Sequence, residues 1–209
     1  GMADLKAGII RHVSDAFCED PVRVLRVARF SSRYHHRSFS IAPSTLALMR
    51  KLSDSNELIS LVPERIWLET SKALTEPDPV EFFNTLRKCN ALSLIFPEII
   101  QLAGSTQGQN KLSSHNYLDK TLQFFKRVCD ITKDERFRFA SLFFQLDDIK
   151  NAENNKYLTH IENLDSCTLA SGLCERLNTP RSYRIFCKLI TKNNNKIRQL
   201  ENLSTNDIF

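Results

Sequence analysis

Two carboxylates and two guanidinium groups cluster in the run EDPVRVLR, residues 19–26, at a position where a helix is expected to begin. Asp20 has the short acceptor of a helix N-cap, and Pro21 suits the first helical position. Asp20 and Arg23 are three residues apart and would project side by side. Acceptors beside a fork of donors are what reading the edge of a nucleobase requires. From spacing alone, an N-cap with a surface ion pair explains these residues better.

The helix predicted from this start runs toward Arg37 and has two unlike faces. At about 100° per residue, four arginines fall close to one line, namely Arg26, Arg29, Arg33 and Arg37. Small or apolar residues fall roughly opposite, namely Val24, Leu25, Val27, Ala28 and Ser31. One face is therefore predicted to pack, and the other to carry positive charge.

Residues 11–39 resemble the helix that follows the catalytic head in bacterial tRNA nucleotidyltransferases, the CCA-adding enzymes of the class shared with bacterial poly(A) polymerases. In that family Glu-Asp-x-x-Arg, with Arg three residues later, forms an amino-acid template whose Asp and Arg hydrogen-bond the incoming cytosine or adenine. The resemblance implies nucleotide binding at Glu19, Asp20, Arg23 and Arg26. It continues in the family's order through FSIAPSTLALMR (39–50), LVPERIWLE (61–69) and FFNTLRKCNALSLIFPEI (82–99).

The resemblance implies a neck and body region that binds RNA and selects nucleotides, for tRNA 3′-CCA addition or RNA 3′-end processing. Its partner would be tRNA, contacted by Arg29, Arg33 and Arg37. The complete family enzyme uses Mg²⁺ with CTP and ATP, held by a catalytic head with a Gly-Ser pair and two metal-binding carboxylates. Nothing in these 209 residues matches that head. We therefore predict no catalytic residue, cofactor or metal site here, and expect nucleotide addition to need a separate or upstream head.

A second hypothesis is a head-less paralogue that acts as a helical binding or scaffold protein. The template residues would then be left from ancestry, and Arg23 and Arg26 would serve only in helix packing and ion pairs. Whether the chain takes part in an enzyme, and its oligomeric state, stay open at this point.

Composition fits a globular protein, with 42% hydrophobic and 25% charged residues. The net charge is +5, and residues 1–50 hold eight Lys and Arg against four Asp and Glu. A mild basic balance does not by itself indicate nucleic acid, because many solvated helix faces carry one. No stretch approaches the ~20 apolar residues of a membrane span. The six cysteines are widely spaced without a Cys-x-x-Cys pair, which favours reduced thiols and a cytoplasmic location.

The remaining pattern predicts an all-α architecture with a neck and body over 1–102, a linker or loop over 103–114, and a helical C-terminal region over 115–209. Helices are predicted to begin near Pro43 and at Pro63, with two short ones across 82–99. Residues 2–19 show little periodicity and are predicted to be extended. Further helices are predicted at roughly 115–130, 134–146, 166–178 and 181–200.

Some family members carry a metal-dependent His-Asp phosphohydrolase site in the C-terminal region. Alignment on that segment places Phe144 and Gln145 at the His-Asp pair, residues 159–162 at the next ligand cluster, and Asn194 at a later His. Phe cannot bind a metal ion, and Gln is a poor substitute for a carboxylate. We therefore predict a degenerate phosphohydrolase-like domain, with His115 and His160 as surface or capping residues, and rank a phosphohydrolase last.

Overall fold

The structure is a computed structural model that describes residues 1–102, 111–144, 166–194 and 197, with side chains except at 101–102 and 111–117. The helices in chain order are α1 (Met2–Ala7), α2 (Val22–Tyr34), α3 (Pro43–Asp54), α4 (Pro63–Thr75), α5 (Val80–Lys88), α6 (Leu92–Ile95), α7 (Pro97–Leu102), α8 (Lys111–Ile131), α9 (Glu135–Ser141), α10 (Ser166–Arg176) and α11 (Arg181–Lys192). Short 3₁₀ turns cover Asp15–Glu19, His35–Arg37 and Glu57–Ser60. The predicted all-α class is confirmed.

The entry segment differs from the prediction of an extended stretch. It contains α1, and a strand β1 (Ile9–Ile10) that pairs in parallel with β2 (Ser40–Ile41). Each strand has two residues, which is too short to produce the alternation by which a strand is recognised in sequence. The pairing fixes the approach of the chain to α2.

Helix α2 lies at the centre of the N-terminal half and packs against α4 and α5. The predicted packing face is confirmed, because Val24, Leu25, Val27, Ala28 and Ser31 are all buried. The helix ends at Tyr34 and not near Arg37, since the next turn is 3₁₀. Ser38 closes that turn at φ 60°, in the left-handed region, and its N–H donates to His35 O at 2.8 Å.

One hydrophobic cluster runs from α2 to α11 and is rich in phenylalanine. Trp67 on α4 meets Phe139 on α9 and Tyr183 on α11 edge to face, with ring centroids 5.3 and 4.7 Å apart. Phe83 on α5 meets Phe125 on α8 in the same way, at 5.3 Å. The described residues on the two sides of 103–110 therefore share a core.

The domain division stays a prediction, because residues 103–110 lie outside the described ones. Helix α8 begins at Lys111, inside the predicted linker. Polar contacts join the two sides as well: Arg176 on α10 donates to both carboxylate oxygens of Glu98 on α7, at 2.7 and 2.8 Å. Arg87 on α5 pairs with Asp119 on α8.

Arg138 on α9 is buried, and each of its three guanidinium nitrogens donates to a backbone carbonyl. It donates to Leu74 O on α4 at 2.6 Å, to Cys129 O on α8 at 3.0 Å, and to Thr132 O just beyond α8 at 2.8 Å. The last turn of a helix leaves carbonyls without intrahelical partners, and a cation there also complements the helix dipole. Arg138 thus joins the C-terminal ends of α4 and α8.

No helix in the described part of the chain is long and apolar enough to cross a bilayer. The predicted cytoplasmic location stays a prediction. None of the six cysteines forms a disulfide.

Candidate nucleic-acid interface

Asp20 caps α2 as the sequence predicts. Its Oδ1 accepts from the backbone N–H of Val22 at 3.2 Å, and its carbonyl accepts from the N–H of Arg23 at 3.0 Å. The regular helix begins at Val22, one residue after Pro21. The local chemistry of Asp20 and Pro21 therefore starts the helix.

The second oxygen of Asp20 has a partner that the spacing did not indicate. Oδ2 accepts from Nη2 of Arg65 on α4 at 2.6 Å. Partial burial raises the pKa of the Asp20 carboxyl, but the hydrogen bonds from Arg65 and Val22, with the charges of Arg65 and Arg23, outweigh this and hold the pKa below its usual value. Asp20 is thus an ionised acceptor at neutral pH.

Arg23 lies close enough for its charge to act on Asp20, yet its guanidinium donates elsewhere. Nη1 donates to the backbone oxygen of Ala16, in the 3₁₀ turn before α2. Asp20 and Arg23 therefore do not form a direct ion pair, and the carboxylate pairs with Arg65 instead. Glu19, at the end of the same turn, is exposed.

Two of the predicted surface arginines pair with buried carboxylates on or just after α4. Arg29 Nε donates to Glu69 Oε2 at 2.8 Å, and Arg33 Nη2 lies 2.8 Å from Glu76 Oε1. The Arg29, Glu69 and Glu76 side chains are only 11%, 8% and 7% exposed. A buried carboxylate needs a counter-charge, and these arginines supply it.

The charge of Arg29 is thus engaged within the fold, while Arg33 remains 43% exposed. Arg37 lies in the 3₁₀ turn after α2, is exposed, and donates to the ring of His36 at 3.3 Å. RNA contact by these three arginines stays a prediction.

A hollow of about 310 Å³ opens between α2 and α4, beside Asp20. Its lining combines four cations, one carboxylate and two apolar side chains: Arg26, Arg29, Arg65, Lys72, Glu69, Val22 and Leu68. On α4 the lining residues recur at i, i+3, i+4 and i+7, which is one face of a helix. We call this feature the α2–α4 hollow.

Sequence reasoning assigned Arg26 to this site, favoured a salt bridge within the neck for Arg65, and missed Leu68 and Lys72. Arg26 is exposed and makes no hydrogen bond or ion pair with any described residue. The repeat on α4 was a readable signal. It could be used only once α4 was known to pack against α2.

The predicted phosphohydrolase remnant lies mostly outside the described residues, which exclude 145–165 and the side chain of His115. Phe144 stacks on Phe124 with ring centroids 4.8 Å apart. Asn194 is buried and donates to Phe144 O at 2.8 Å. Among the described residues no group of three or more His, Cys, Asp or Glu could hold a metal ion. The degenerate phosphohydrolase domain stays a prediction.

The family described as the probable RNA and SrmB-binding site of polymerase A matches residues 38–102. A Multifunctional CCA protein of Teredinibacter turnerae is 42% identical over 190 residues, which cover 88% of this chain and 45% of that protein. Another, of Shewanella frigidimarina, is 38% identical over 94% of this chain and 48% of its own length. Over most of its length, the chain is similar to Multifunctional CCA proteins. It spans about half the length of these curated relatives.

Solved structures share the fold at lower identity. A structure titled as a tRNA-processing enzyme complex has a TM-score of 0.61 at 21% identity, over 98% of this chain and 49% of that one. A CCA-adding enzyme solved with CTP has a TM-score of 0.53 at 18% identity, over 97% of this chain and 42% of that one. The predicted neck and body fold of a CCA-adding enzyme is confirmed.

Proposed function

We propose that this chain is the RNA-binding and nucleotide-selecting region of a tRNA nucleotidyltransferase. The main support is the geometry at the start of α2, where an ionised Asp20 and the forked donor Arg23 lie beside the cationic α2–α4 hollow. The 42% identity to a Multifunctional CCA protein supports the same function. The ligands would be the 3′ end of a tRNA and an incoming CTP or ATP. The matched family description, which names RNA, supports the first of these.

Asp20 would accept from the amino group of cytosine or adenine. A carboxylate offers about four acceptor positions. Arg65 and the Val22 N–H use one on each oxygen, so acceptor capacity remains for a base. Arg65 also fixes the carboxylate in place and keeps it ionised. Asp20 is therefore prepared as an acceptor before the ligand arrives.

Arg23 would donate to the base from the same side, and would have to release or share its contact with Ala16 O. Glu19 and Arg26 flank this pair and are both exposed.

Phosphoryl transfer itself requires metal-bound carboxylates that act on the triphosphate. The described carboxylates do not form such a set, so we derive no catalytic step from them. A separate or upstream head would supply it, with Mg²⁺.

The test is direct binding by the purified chain. A tRNA lacking its CCA end should bind more tightly than an unrelated duplex, and its affinity should fall steeply between roughly 50 and 200 mM salt. Asp20→Asn and Arg23→Ala should weaken CTP and ATP binding and leave binding of the tRNA body unchanged. Equal affinity for tRNA and the duplex, with no nucleotide binding, would refute the proposal.

A second candidate is a helical binding or scaffold protein. The observation that favours it is that Asp20, Arg23, Arg29 and Arg33 all have partners inside the fold. The family description also names a second ligand beside RNA, SrmB. In this case Arg23→Ala would lower the unfolding free energy slightly and change neither RNA nor nucleotide binding.

A further inference from the structure

We propose that the α2–α4 hollow is a phosphate-binding site whose working cations are Arg26 and Lys72. The phosphate would belong to a nucleotide or to an RNA strand bound at the neighbouring Asp20 and Arg23, so the source of the phosphate rests on the proposed function. The anion chemistry of the hollow does not rest on it.

The pairing of charges in the hollow leaves Arg26 unpaired among the described residues and Lys72 with one long, shared contact. Arg29 lies 2.8 Å from Glu69 and 3.6 Å from Glu76, and Arg65 is matched by Asp20. Lys72 is 47% exposed and reaches only the already engaged Glu69, at 3.9 Å. Arg26 has no polar partner among the described residues.

Arg26 and Lys72 are like charges on facing helices, and their mutual repulsion favours the binding of an anion between them. Arg26 on α2 and Lys72 on α4 belong to opposite walls of the hollow. A phosphate between them would accept from both and relieve that repulsion. Charge-assisted hydrogen bonds of this kind are the strong ones.

The hollow also has apolar surface on which the sugar attached to a phosphate could pack. Leu68 is 50% exposed in the hollow, and Val22 lines it beside Arg26. A sugar can pack on such apolar surface while its phosphate meets the cations. A purely apolar ligand is disfavoured, because four of the seven lining residues are cationic.

Arg65 connects this hollow to the base-reading pair. It lines the hollow and donates to Asp20 Oδ2 at 2.6 Å. A ligand with its base at Asp20 therefore has its own or a neighbouring phosphate within reach of the hollow. This continuity favours a nucleotide or RNA phosphate over the carboxylates of an acidic peptide.

The experiment compares wild type, the double variant Arg26→Ala/Lys72→Ala, and a matched control, Lys51→Ala/Lys188→Ala. The control also removes two exposed cations, from α3 and α11. The primary probe is inorganic triphosphate, followed by ³¹P NMR. Cytidine, CTP and a fluorescent single-stranded RNA ending in CC are measured in parallel. Far-UV circular dichroism and thermal unfolding verify that all three proteins are folded.

We expect the double variant to lose roughly tenfold or more in triphosphate affinity and the control to match wild type. If the phosphate comes from the nucleotide, the variant will lose more affinity for CTP than for cytidine, which has no phosphate. If it comes from RNA, the RNA affinity will fall and its salt slope will decrease by about 0.7 per lost phosphate contact. A charge-retaining Arg26→Lys/Lys72→Arg variant should recover most of the binding.

Triphosphate binding that is absent, or equal in variant and control, would overturn the hollow as a phosphate site. If only the proposed function is wrong, the results will differ: wild type would bind triphosphate through Arg26 and Lys72 but would bind neither CTP nor the RNA. Conversely, RNA and CTP binding that is indifferent to the double variant would keep the proposed function and remove this site.

Discussion

The two sides of α4 are held in the fold by opposite means. Toward α2, buried Glu69 and Glu76 meet Arg29 and Arg33. Toward α9 and α11, Trp67 meets two aromatic rings edge to face. Aromatic burial supplies stability with little need for partners, whereas ion pairs cost desolvation and specify geometry. The candidate site lies on the charged side. At this site the residues of α4 must keep a defined position relative to those of α2.

The aromatic side should be the costlier to disrupt. Phe139 is fully buried, and Phe139→Ala should lower the unfolding free energy by about 3–5 kcal/mol. Urea unfolding followed by circular dichroism measures this. Phe137→Ala is the matched control, since Phe137 lies on the same helix and is 43% exposed. Equal losses for the two variants would mean that the packing of Phe139 with Trp67 and Tyr183 contributes no special stability.

The charged side should lose almost as much when a single partner is removed. Glu69→Gln leaves the nearly buried Arg29 with only its longer contact to Glu76 at 3.6 Å, which should cost about 2–3 kcal/mol. The double variant Arg29→Met/Glu69→Leu should recover much of that loss, because an apolar pair of similar volume avoids desolvation. A double-mutant cycle with the single variants Arg29→Met and Glu69→Leu, measured by urea unfolding, gives the coupling energy. Strictly additive losses would show that the two side chains are not energetically coupled.

Acid should weaken the charged side selectively through Asp20. The pKa of the folded Asp20 carboxyl lies below its ordinary value of 3.8, so its contribution is present above that value and is lost as pH falls through the folded pKa. Asp20→Asn should be less stable than wild type by about 1 kcal/mol at neutral pH. The gap should close once the pH lies below the folded pKa of Asp20. If the difference in unfolding free energy between wild type and Asp20→Asn is the same at neutral and at acid pH, the effect does not come from the charge of Asp20.

Arg37 should matter least to stability. It is exposed and contacts only His36 among the described residues. Arg37→Ala should change the unfolding free energy by less than about 0.5 kcal/mol. If Arg37 contacts RNA, the salt slope of tRNA binding should fall by up to about 0.9. An unchanged slope would restrict the RNA-facing surface to the residues nearer the hollow.

Local chemistry predicted the start of α2, its buried face and its helical class. These follow from neighbours in sequence: Asp20 caps, Pro21 permits the first turn, and apolar residues recur on one side. The partners of the charged residues did not follow. Arg65 reaches Asp20 across 45 residues, and Arg29 reaches Glu69 across 40. Spacing within one helix cannot reveal which other helix it meets.

The line of arginines on α2 shows why that matters. A cationic stripe and an ion-paired seam have the same sequence pattern, and only the packing of α4 distinguishes them. Glu69 and Glu76 are seven residues apart whereas Arg29 and Arg33 are four apart, so the two spacings do not match in sequence. The choice of α4 as the partner comes from the tertiary fold.

Arg138 gives this molecule an evolutionary constraint. It joins the carbonyl of Leu74, near the end of the helix that carries Arg65, Leu68 and Lys72, to the end of α8. A lineage that replaced it would leave several backbone carbonyls without a donor and would loosen α4 at the end nearer Lys72. Because every residue type supplies a backbone carbonyl, side chains in the last turns of α4 and α8 should be free to vary in evolution, whereas Arg138 itself should not.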